Sequence, residues 1–232
     1  MTIDLEQPKD APRESVFALA RFERRALPWL AGRLPAWVLP DHLTSLGIVA
    51  AIGIAAAYML TNVSAGWLWV VNALLVVHWF GDSLDGTLAR TRKIERPRYG
   101  YYLDHLTDAI STVLIGVGLG LSPYMLLSIG LAIVIAYLVL SINVYLETHA
   151  FGVFSLGYSY LGPTEARAAL FVVNALLAIG IGRNFQVSDV GLSALDVVGA
   201  AAAAIMAALL SVRAFKSLRR LAIEEPSARR RG

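Results

Sequence analysis

The feature that most constrains this chain is a series of apolar segments long enough to cross a lipid bilayer. A transmembrane helix needs about 20 consecutive, mostly apolar residues, and the sequence contains six such segments. We predict spanning helices at 43–60, 67–88, 100–121, 124–145, 166–182 and 191–212. The sequence therefore predicts an all-α integral membrane protein with six transmembrane helices.

The composition agrees with a bilayer environment and limits the chemistry. Hydrophobic residues make up 57% of the 232 residues and charged residues 16%, against roughly 25% charged residues in an average soluble domain. The chain has no cysteine, which excludes disulfides, thiolate metal sites and a cysteine nucleophile. Any metal must therefore be bound by oxygen or imidazole ligands.

The basic residues follow the predicted membrane topology. A net charge of +3 and a pI near 9.3 alone would be compatible with nucleic acid binding. However, the connections at 61–66, 122–123 and 183–190 carry a single basic residue, Arg183, whereas the termini and the connection between the second and third spans are rich in arginine and lysine, and Arg167 opens the fifth span. By the positive-inside rule, we predict both termini in the cytoplasm, an inner (cytoplasmic) membrane location and no nucleic acid partner.

Three regions follow from this pattern. Residues 1–40 form an N-terminal segment, 41–213 the six-helix domain and 214–232 a basic cytoplasmic tail. The start of the chain lacks the basic and apolar pattern of a cleaved signal peptide, so we expect insertion through the first spanning helix. Residues 14–27 mix arginines with apolar side chains, as an interfacial amphipathic helix does. Packing of this helix on the bundle is the alternative.

Four aspartates lie in or beside the second and third predicted spans. Each intramembrane carboxylate costs about 2.5–3.5 kcal/mol on insertion scales. Asp82 and Asp85 share one helix face, and Asp104 and Asp108 share another, so the two pairs can face each other across a hairpin. Close carboxylates require a cation, and an all-oxygen ligand set suits Mg²⁺ or Mn²⁺. Two carboxylate pairs suit two ions and a displacement at phosphorus.

Small residues and an arginine accompany the aspartates. Gly86 follows Asp85, and Gly100 precedes Asp104 by one turn, so backbone is exposed where a bulky ligand can approach. Arg90 supplies a planar donor group that matches phosphate oxygens. This combination favours a phosphate-containing substrate.

These residues carry a family resemblance. The segment from Asp82 to Arg90, followed after nine residues by the segment from Gly100 to Asp108, has the pattern D-x-x-D-G-x-x-A-R and G-x-x-x-D-x-x-x-D. It resembles the signature of the CDP-alcohol phosphotransferase family at every fixed position. The resemblance implies six spans, with the motif on the second and third, and a homodimer.

Site roles are carried over from the resemblance position by position. It implies that Asp82, Asp85, Asp104 and Asp108 are metal ligands, and that Asp108 is also the catalytic base for the acceptor hydroxyl. The implied nucleotide-binding residues are Gly86, Ala89, Arg90 and, from a weaker match at the start of the first span, Thr44. His42 departs from the family's usual asparagine in that stretch.

The acceptor side is less defined. Glu147 and Glu165 flank the connection between the fourth and fifth spans, and we predict that one of them, with Tyr145, Tyr158 or Tyr160, binds a cationic acceptor. The alternative for the second acidic residue is helix capping, with Thr164 as the N-cap.

Three further polar residues are interpreted more simply. His105 is predicted to be a packing or acceptor-pocket residue rather than a ligand. His78, one turn before Asp82, is either a second layer behind the metal site or a hydrogen-bonded core histidine. Asp196 receives no functional role.

The resemblance implies a donor of the CDP-linked class. We expect transfer of a phosphatidyl group from CDP-diacylglycerol to a small polar alcohol with release of CMP, in phospholipid biosynthesis. One alternative joins CDP-choline or CDP-ethanolamine to diacylglycerol. An alternative from another class is a divalent-cation transporter, because intramembrane carboxylates also mark transport pathways.

Overall fold

A computed structural model describes residues 20–151, 163–181 and 192–225. Within these ranges the chain forms seven helices and no sheet. They are α1 (Ala20–Ala31), α2 (Pro40–Leu60), α3 (Trp67–Arg92), α4 (Pro97–Gly120), α5 (Leu127–Phe151), α6 (Pro163–Ala178) and α7 (Ala194–Glu224). The all-α class predicted from the sequence is confirmed, and each predicted span overlaps one of the helices α2 to α7.

Four of the described helices, α2, α3, α5 and α7, are long and apolar enough to cross a membrane. Of the three remaining helices, α4 and α6 overlap predicted spans but differ in character. The first half of α4 contains Asp104, His105 and Asp108, which lower its hydropathy, and α6 has 16 residues. The structure therefore supports a multi-pass membrane protein, and the count of six spans stays a prediction.

Proline marks the start of three helices. Pro40, Pro97 and Pro163 open α2, α4 and α6, where the missing N–H and the fixed φ of proline suit the first turn. Lys93 ends α3 in the left-handed conformation, with a φ of 57°. The connection between the predicted spans at 67–88 and 100–121 is therefore shorter in the structure, because α3 ends at Arg92 and α4 begins at Pro97.

The α2–α3 crossing depends on glycine. A Cβ added to Gly81 would lie 2.6 Å from the carbonyl oxygen of Leu43 and 2.8 Å from the backbone nitrogen of Gly47. The two backbones therefore touch at the residue directly before Asp82. Close backbone approach at small residues is a common basis of helix packing in membranes.

A buried polar chain links α2, α3 and α6. The Tyr58 hydroxyl donates to Asn174 Oδ1, and Asn174 Nδ2 donates to Asn72 Oδ1, each at 3.1 Å. Asn72 Nδ2 in turn donates to the carbonyl oxygen of Phe171 at 3.1 Å. Each of these buried side chains is thus satisfied, as an apolar environment requires.

Glu147 connects α5 to α7. Its Oε2 lies 2.6 Å from Nη2 of Arg213, and its Oε1 accepts from Asn143 at 2.9 Å and Ser217 at 2.8 Å. The Arg213 side chain is 6% exposed. Both charges are therefore paired in the α5–α7 contact.

Asp196 has a structural role at the opposite end of α7. Its Oδ1 accepts from the backbone N–H of Leu126 at 2.7 Å, and its Oδ2 from that of Ser193 at 2.9 Å. Ser193 completes a capping box by accepting from the Asp196 N–H. These contacts fix the start of α7 and agree with the absence of a predicted functional role.

The C-terminal segment begins as helix. Because α7 continues to Glu224, the first residues of the predicted tail at 214–232 extend the last helix. An i, i+4 ion pair between Arg220 and Glu224 supports this extension. Residues 226–232 lie outside the described part.

The N-terminal helix α1 packs on α3. Its buried residues Leu27 and Ala31 share an apolar cluster with Leu84 and Leu88, while Phe22 and Trp29 stay exposed. The first part of the predicted amphipathic segment at 14–27 lies outside the described residues. The contact with the bundle is present, and placement in the headgroup layer stays a prediction.

Arg92 fastens the loop between α1 and α2 to the end of α3. Its guanidinium donates to the carbonyl oxygens of Leu34 and Pro35, each at 2.9 Å, and to that of Val38. The loop and α1 are therefore held against the same end of α3 that carries the aspartates.

Candidate functional site

The structure places the four aspartates in one region between α3 and α4. Asp82 lies within hydrogen-bonding range of Asp108, and Asp104 acts electrostatically on Asp108. Asp82 and Asp104 also lie close enough to Asp85 to repel its carboxylate. This proximity follows from helix spacing, because each pair occupies one face of its helix.

Two of the carboxylates already have strong partners. Asp85 Oδ2 accepts from the Thr44 hydroxyl at 2.6 Å, and its Oδ1 accepts from the Gly86 N–H at 2.5 Å. Asp82 Oδ2 forms an ion pair with Arg167 Nη2 at 2.5 Å, with the two side chains 20% and 13% exposed. The site is therefore formed by α2, α3, α4 and α6.

The carboxylates are not arranged as a complete metal-binding site. Among the described residues, no three His, Asp or Glu side chains converge on one point suitable for an ion. The chemistry of the donor set nevertheless fits a hard divalent cation, because all four side chains are carboxylates. Asp82 already binds a guanidinium, so this region of the protein accommodates positive charge.

The predicted nucleotide-binding residues flank the aspartates. A Cβ added to Gly86 would lie 3.4 Å from Arg90 Nη1, so the Arg90 guanidinium lies over Gly86. Arg90 also donates to the Thr87 hydroxyl at 3.2 Å. Ala89 is partly buried on the same helix end, and the position of a Cβ on Gly100 is open, with nothing within 4 Å.

Aromatic rings line the α4–α5 side of the site. The His105 ring lies 4.1 Å from that of Tyr101 and 4.8 Å from that of Tyr145, measured between centroids. Its Nδ1 is 3.4 Å from Asp104 Oδ2. His105 therefore packs between two tyrosines beside a motif aspartate, as expected for a packing or pocket residue.

His78 is buried one turn before Asp82. Its side chain is part of the core, and its Nδ1 has no hydrogen-bond partner within the described part of the chain. The expectation of a hydrogen-bonded core histidine is thus met in its burial but not at this nitrogen.

The two predicted acceptor residues, Glu147 and Glu165, lie in different parts of the structure. Glu147 lies in the α5–α7 contact with its carboxylate engaged by Arg213. Glu165 lies in the first turn of α6, two residues before Arg167. Thr164 lies inside the helix and donates to Glu23, so the expectation that it caps α6 is wrong. Tyr158 and Tyr160 lie outside the described residues.

Two site contacts are not predicted by the motif. The motif does not include Arg167, although an arginine in a mostly apolar segment requires an acidic partner. Glu23, in α1, accepts from Trp79 Nε1 at 2.8 Å and from the Thr164 hydroxyl at 2.7 Å. No local pattern relates Glu23 to residues so distant in sequence.

The fold and this region define a helical membrane protein with an acidic cluster between two helices. Residues 37–212 match the profile of the CDP-alcohol phosphatidyltransferase family. Because this match covers most of the chain, the protein belongs to that family, whose members are transferases of phosphate-containing groups. The resemblance noted in the motif is thereby confirmed.

Individual relatives match a shorter part of the chain. A 98-residue stretch is 35% identical to cholinephosphotransferase 1 of Danio rerio, covering 39% of this chain and 25% of that protein. A 96-residue stretch is 33% identical to cholinephosphotransferase 1 of Gallus gallus, covering 39% of this chain and 28% of that protein. Phosphatidylinositol phosphate synthase of Cutibacterium acnes is 36% identical over 89 residues, which cover 38% of this chain and 40% of that protein. The matches thus span between a quarter and two fifths of these relatives.

Proposed function

We propose that this protein transfers a phosphatidyl group from CDP-diacylglycerol to a small polar alcohol and releases CMP. The observation that carries the proposal is that the four motif aspartates of α3 and α4 lie in one region, with the Thr44 hydroxyl of α2 hydrogen-bonded to Asp85. Family membership supports phospholipid synthesis as the general role. The identity of donor and acceptor belongs to the proposal.

The metal part of the proposal rests on the donor set. The family is generally dependent on a divalent metal, and Asp82, Asp85, Asp104 and Asp108 would bind Mg²⁺ or Mn²⁺, as two ions. When bound, the metal supplies charge neutralisation at the pyrophosphate. The ion pair with Arg167 uses Oδ2 of Asp82, so Asp82 would bind the metal through Oδ1.

The protein side chains provide the remaining chemistry. Asp108 accepts the proton from the acceptor hydroxyl. The hydroxyl oxygen then forms a bond to the phosphorus that carries the diacylglycerol group, and the bond from this phosphorus to CMP breaks. No covalent enzyme intermediate is needed, because donor and acceptor react directly.

The nucleotide is proposed to bind beside α2 and the end of α3. Arg90 offers a guanidinium to phosphate oxygens, and this guanidinium lies over Gly86, so the backbone of Gly86 and the Arg90 side chain would face the same phosphate. Ala89 lies on the same helix end. Thr44 is placed to hold Asp85 in a fixed orientation while the nucleotide binds, through its 2.6 Å hydrogen bond.

The acceptor is proposed to enter near the start of α6. Glu165 is adjacent to this entrance, and Tyr145 offers a ring face suited to a cationic headgroup. Glu147 stays in the proposal as the weaker candidate, because Arg213 neutralises its carboxylate. A headgroup competition assay tests Glu165: an unchanged acceptor preference in Glu165→Gln would remove it from the acceptor site.

The proposed setting is a cytoplasmic membrane with six spans and both termini inside. The arginine-rich end of the bundle, which includes the connection between α3 and α4, would face the cytoplasm. α1 would lie at the headgroup layer through Phe22 and Trp29, and its arginines would contact lipid phosphates. A homodimer is proposed on family resemblance.

A second candidate function is transfer from CDP-choline or CDP-ethanolamine to diacylglycerol. The similarity to two cholinephosphotransferases favours it, and the Tyr101, His105 and Tyr145 rings, which pack at tilted angles beside Asp104, are compatible with a cationic group. Similarity to a phosphatidylinositol phosphate synthase instead favours a lipid-linked donor.

The deciding experiment offers purified protein both substrate pairs and identifies the lipid product by mass spectrometry. We expect a product from CDP-diacylglycerol with one member of a panel of polar alcohols. A product only from CDP-choline or CDP-ethanolamine with diacylglycerol would replace the proposal by the second candidate. Divalent metal flux into proteoliposomes without CMP release would instead support a transporter.

A further inference from the structure

Glu23 of α1 forms a bridge between two transmembrane-region helices. Its Oε1 accepts hydrogen bonds from both Trp79 Nε1 of α3, at 2.8 Å, and the Thr164 hydroxyl of α6, at 2.7 Å. All three side chains are partly buried. A single carboxylate oxygen thus joins an N-terminal helix to two helices that are far away in sequence.

The register of this bridge relates it to the acidic site. Trp79 lies three residues before Asp82 on α3, and Thr164 lies three residues before Arg167 on α6. Residues three apart lie on the same helix face, about one turn from each other. On α3 and on α6, the residue that contacts Glu23 therefore lies one turn from the residue of the Asp82–Arg167 ion pair.

α1 is itself anchored firmly enough to act as a fixed point. The Phe22 and Trp79 rings stack with centroids 6.4 Å apart, and Leu27 and Ala31 are buried against α3. Hydrogen bonds to a charged acceptor are about twice as strong as those between neutral groups. α6 reaches α1 through the Thr164 hydroxyl.

We infer that Glu23 is a positioning residue that holds α6 so that Arg167 stays against Asp82. Since Asp82 is a proposed metal ligand, loss of the bridge would misplace a group of the acidic cluster. The inference rests on the proposed function for its effect on catalysis, but the effect on helix position is independent of that function.

The variants separate the hydrogen bonds from the charge. Glu23→Met keeps the approximate size of the side chain and loses both hydrogen bonds. Glu23→Gln keeps an amide oxygen that accepts both hydrogen bonds, and it loses the charge. Thr164→Val removes the α6 half of the bridge with little change in volume.

The position of α6 is measured by electron paramagnetic resonance with pairs of spin labels. The chain has no cysteine, so labels can be attached to Thr91→Cys on α3 and Ala168→Cys on α6, which are both exposed. A matched control pair, Ser45→Cys on α2 with Thr91→Cys, does not involve α6. Catalysis is followed in parallel as CMP release.

We expect Glu23→Met and Thr164→Val to broaden or shift the α3–α6 distance distribution and to leave the α2–α3 distribution unchanged. The kcat should fall on the order of tenfold, because small misplacements at a site have large effects on rate. The KM for the CDP-linked donor should stay within about twofold, since Thr44 and Arg90 are not touched. Glu23→Gln should retain both the distances and most of the kcat.

Two results would overturn the inference. An unchanged α3–α6 distribution in Glu23→Met would show that the bridge does not position α6, and a change in both label pairs would show a general loss of structure. An unmodified protein that releases no CMP would refute the proposed function, while the label distances would still decide the role of Glu23.

Discussion

The α2–α3 crossing allows a quantitative test with a single added methyl group. In Gly81→Ala, the new Cβ would lie 2.6 Å from the Leu43 carbonyl oxygen, whereas carbon–oxygen contacts are ordinarily about 3.3 Å or longer. The backbones must therefore separate by about 0.7 Å, since neither contact atom belongs to a flexible side chain. The same movement would lengthen the Thr44–Asp85 hydrogen bond from its 2.6 Å to about 3.3 Å.

The expected cost has two parts. Overpacking typically destabilises by about 1–3 kcal/mol, and the better helix propensity of alanine offsets up to about 1 kcal/mol. We expect Gly81→Ala to lower the free energy of unfolding by about 1–2 kcal/mol and CMP release at least tenfold, because Asp85 loses its fixed orientation. Thermal unfolding in detergent and a CMP release assay measure the two effects.

Gly47→Ala is the matched control, because Gly47 lies in the same crossing. Its added Cβ would be 3.7 Å from the Asp82 backbone nitrogen, an ordinary contact. This variant should retain its activity and be as stable as the unmodified protein or more so. If Gly81→Ala equals Gly47→Ala in both stability and CMP release, the role assigned to the α2–α3 contact is refuted.

Three further predictions concern the helix contacts. Glu147→Ala should destabilise the protein by about 3–5 kcal/mol, because Arg213 would keep a buried charge without its carboxylate. Unchanged thermal unfolding would contradict this. The double variant Glu147→Gln with Arg213→Met should recover much of the lost stability. Asn174→Leu should lower the free energy of unfolding by about 1–3 kcal/mol, measured by denaturant unfolding, because the buried Tyr58 hydroxyl loses its acceptor. A variant of equal or higher stability would refute the importance of the polar chain. Arg92→Lys should speed proteolysis in the loop between α1 and α2, since an ammonium group cannot reach the several carbonyl oxygens that the guanidinium contacts. Equal cleavage rates in the variant and the unmodified protein would contradict this.

The positions of the helices were predictable because hydrophobicity marks them, and each predicted span overlaps one helix. α2, α4 and α6 begin at Pro40, Pro97 and Pro163, three residues before the predicted spans at 43, 100 and 166, because proline suits the first turn of a helix. The ends were less predictable: α7 continues to Glu224 because the residues after 212 still favour helix, although they are no longer apolar. Hydropathy indicates which residues suit the bilayer, and it does not indicate where a helix ends.

The acidic cluster was predictable from spacing along single helices. Asp82 with Asp85 and Asp104 with Asp108 each share a face, and the structure places the pairs near each other. The Asp82–Arg167 ion pair and the Glu23 bridge were not predictable in the same way. They depend on how α1 and α6 pack against α3, and no periodic pattern in one segment encodes contacts between segments.

The metal-dependent transfer is tested by measuring CMP release by purified protein as a function of Mg²⁺ or Mn²⁺ concentration. We predict metal-dependent release from CDP-diacylglycerol in the presence of the acceptor, and its loss in Asp85→Asn and Asp108→Asn. Asp41→Asn is the control, because Asp41 is an exposed carboxylate at the end of α2 that also contains Thr44, and it pairs with Arg96 at the surface. This variant should retain CMP release, because exposed ion pairs contribute little to stability. Full CMP release in correctly folded Asp85→Asn and Asp108→Asn, or release without any divalent metal, would contradict the central claim.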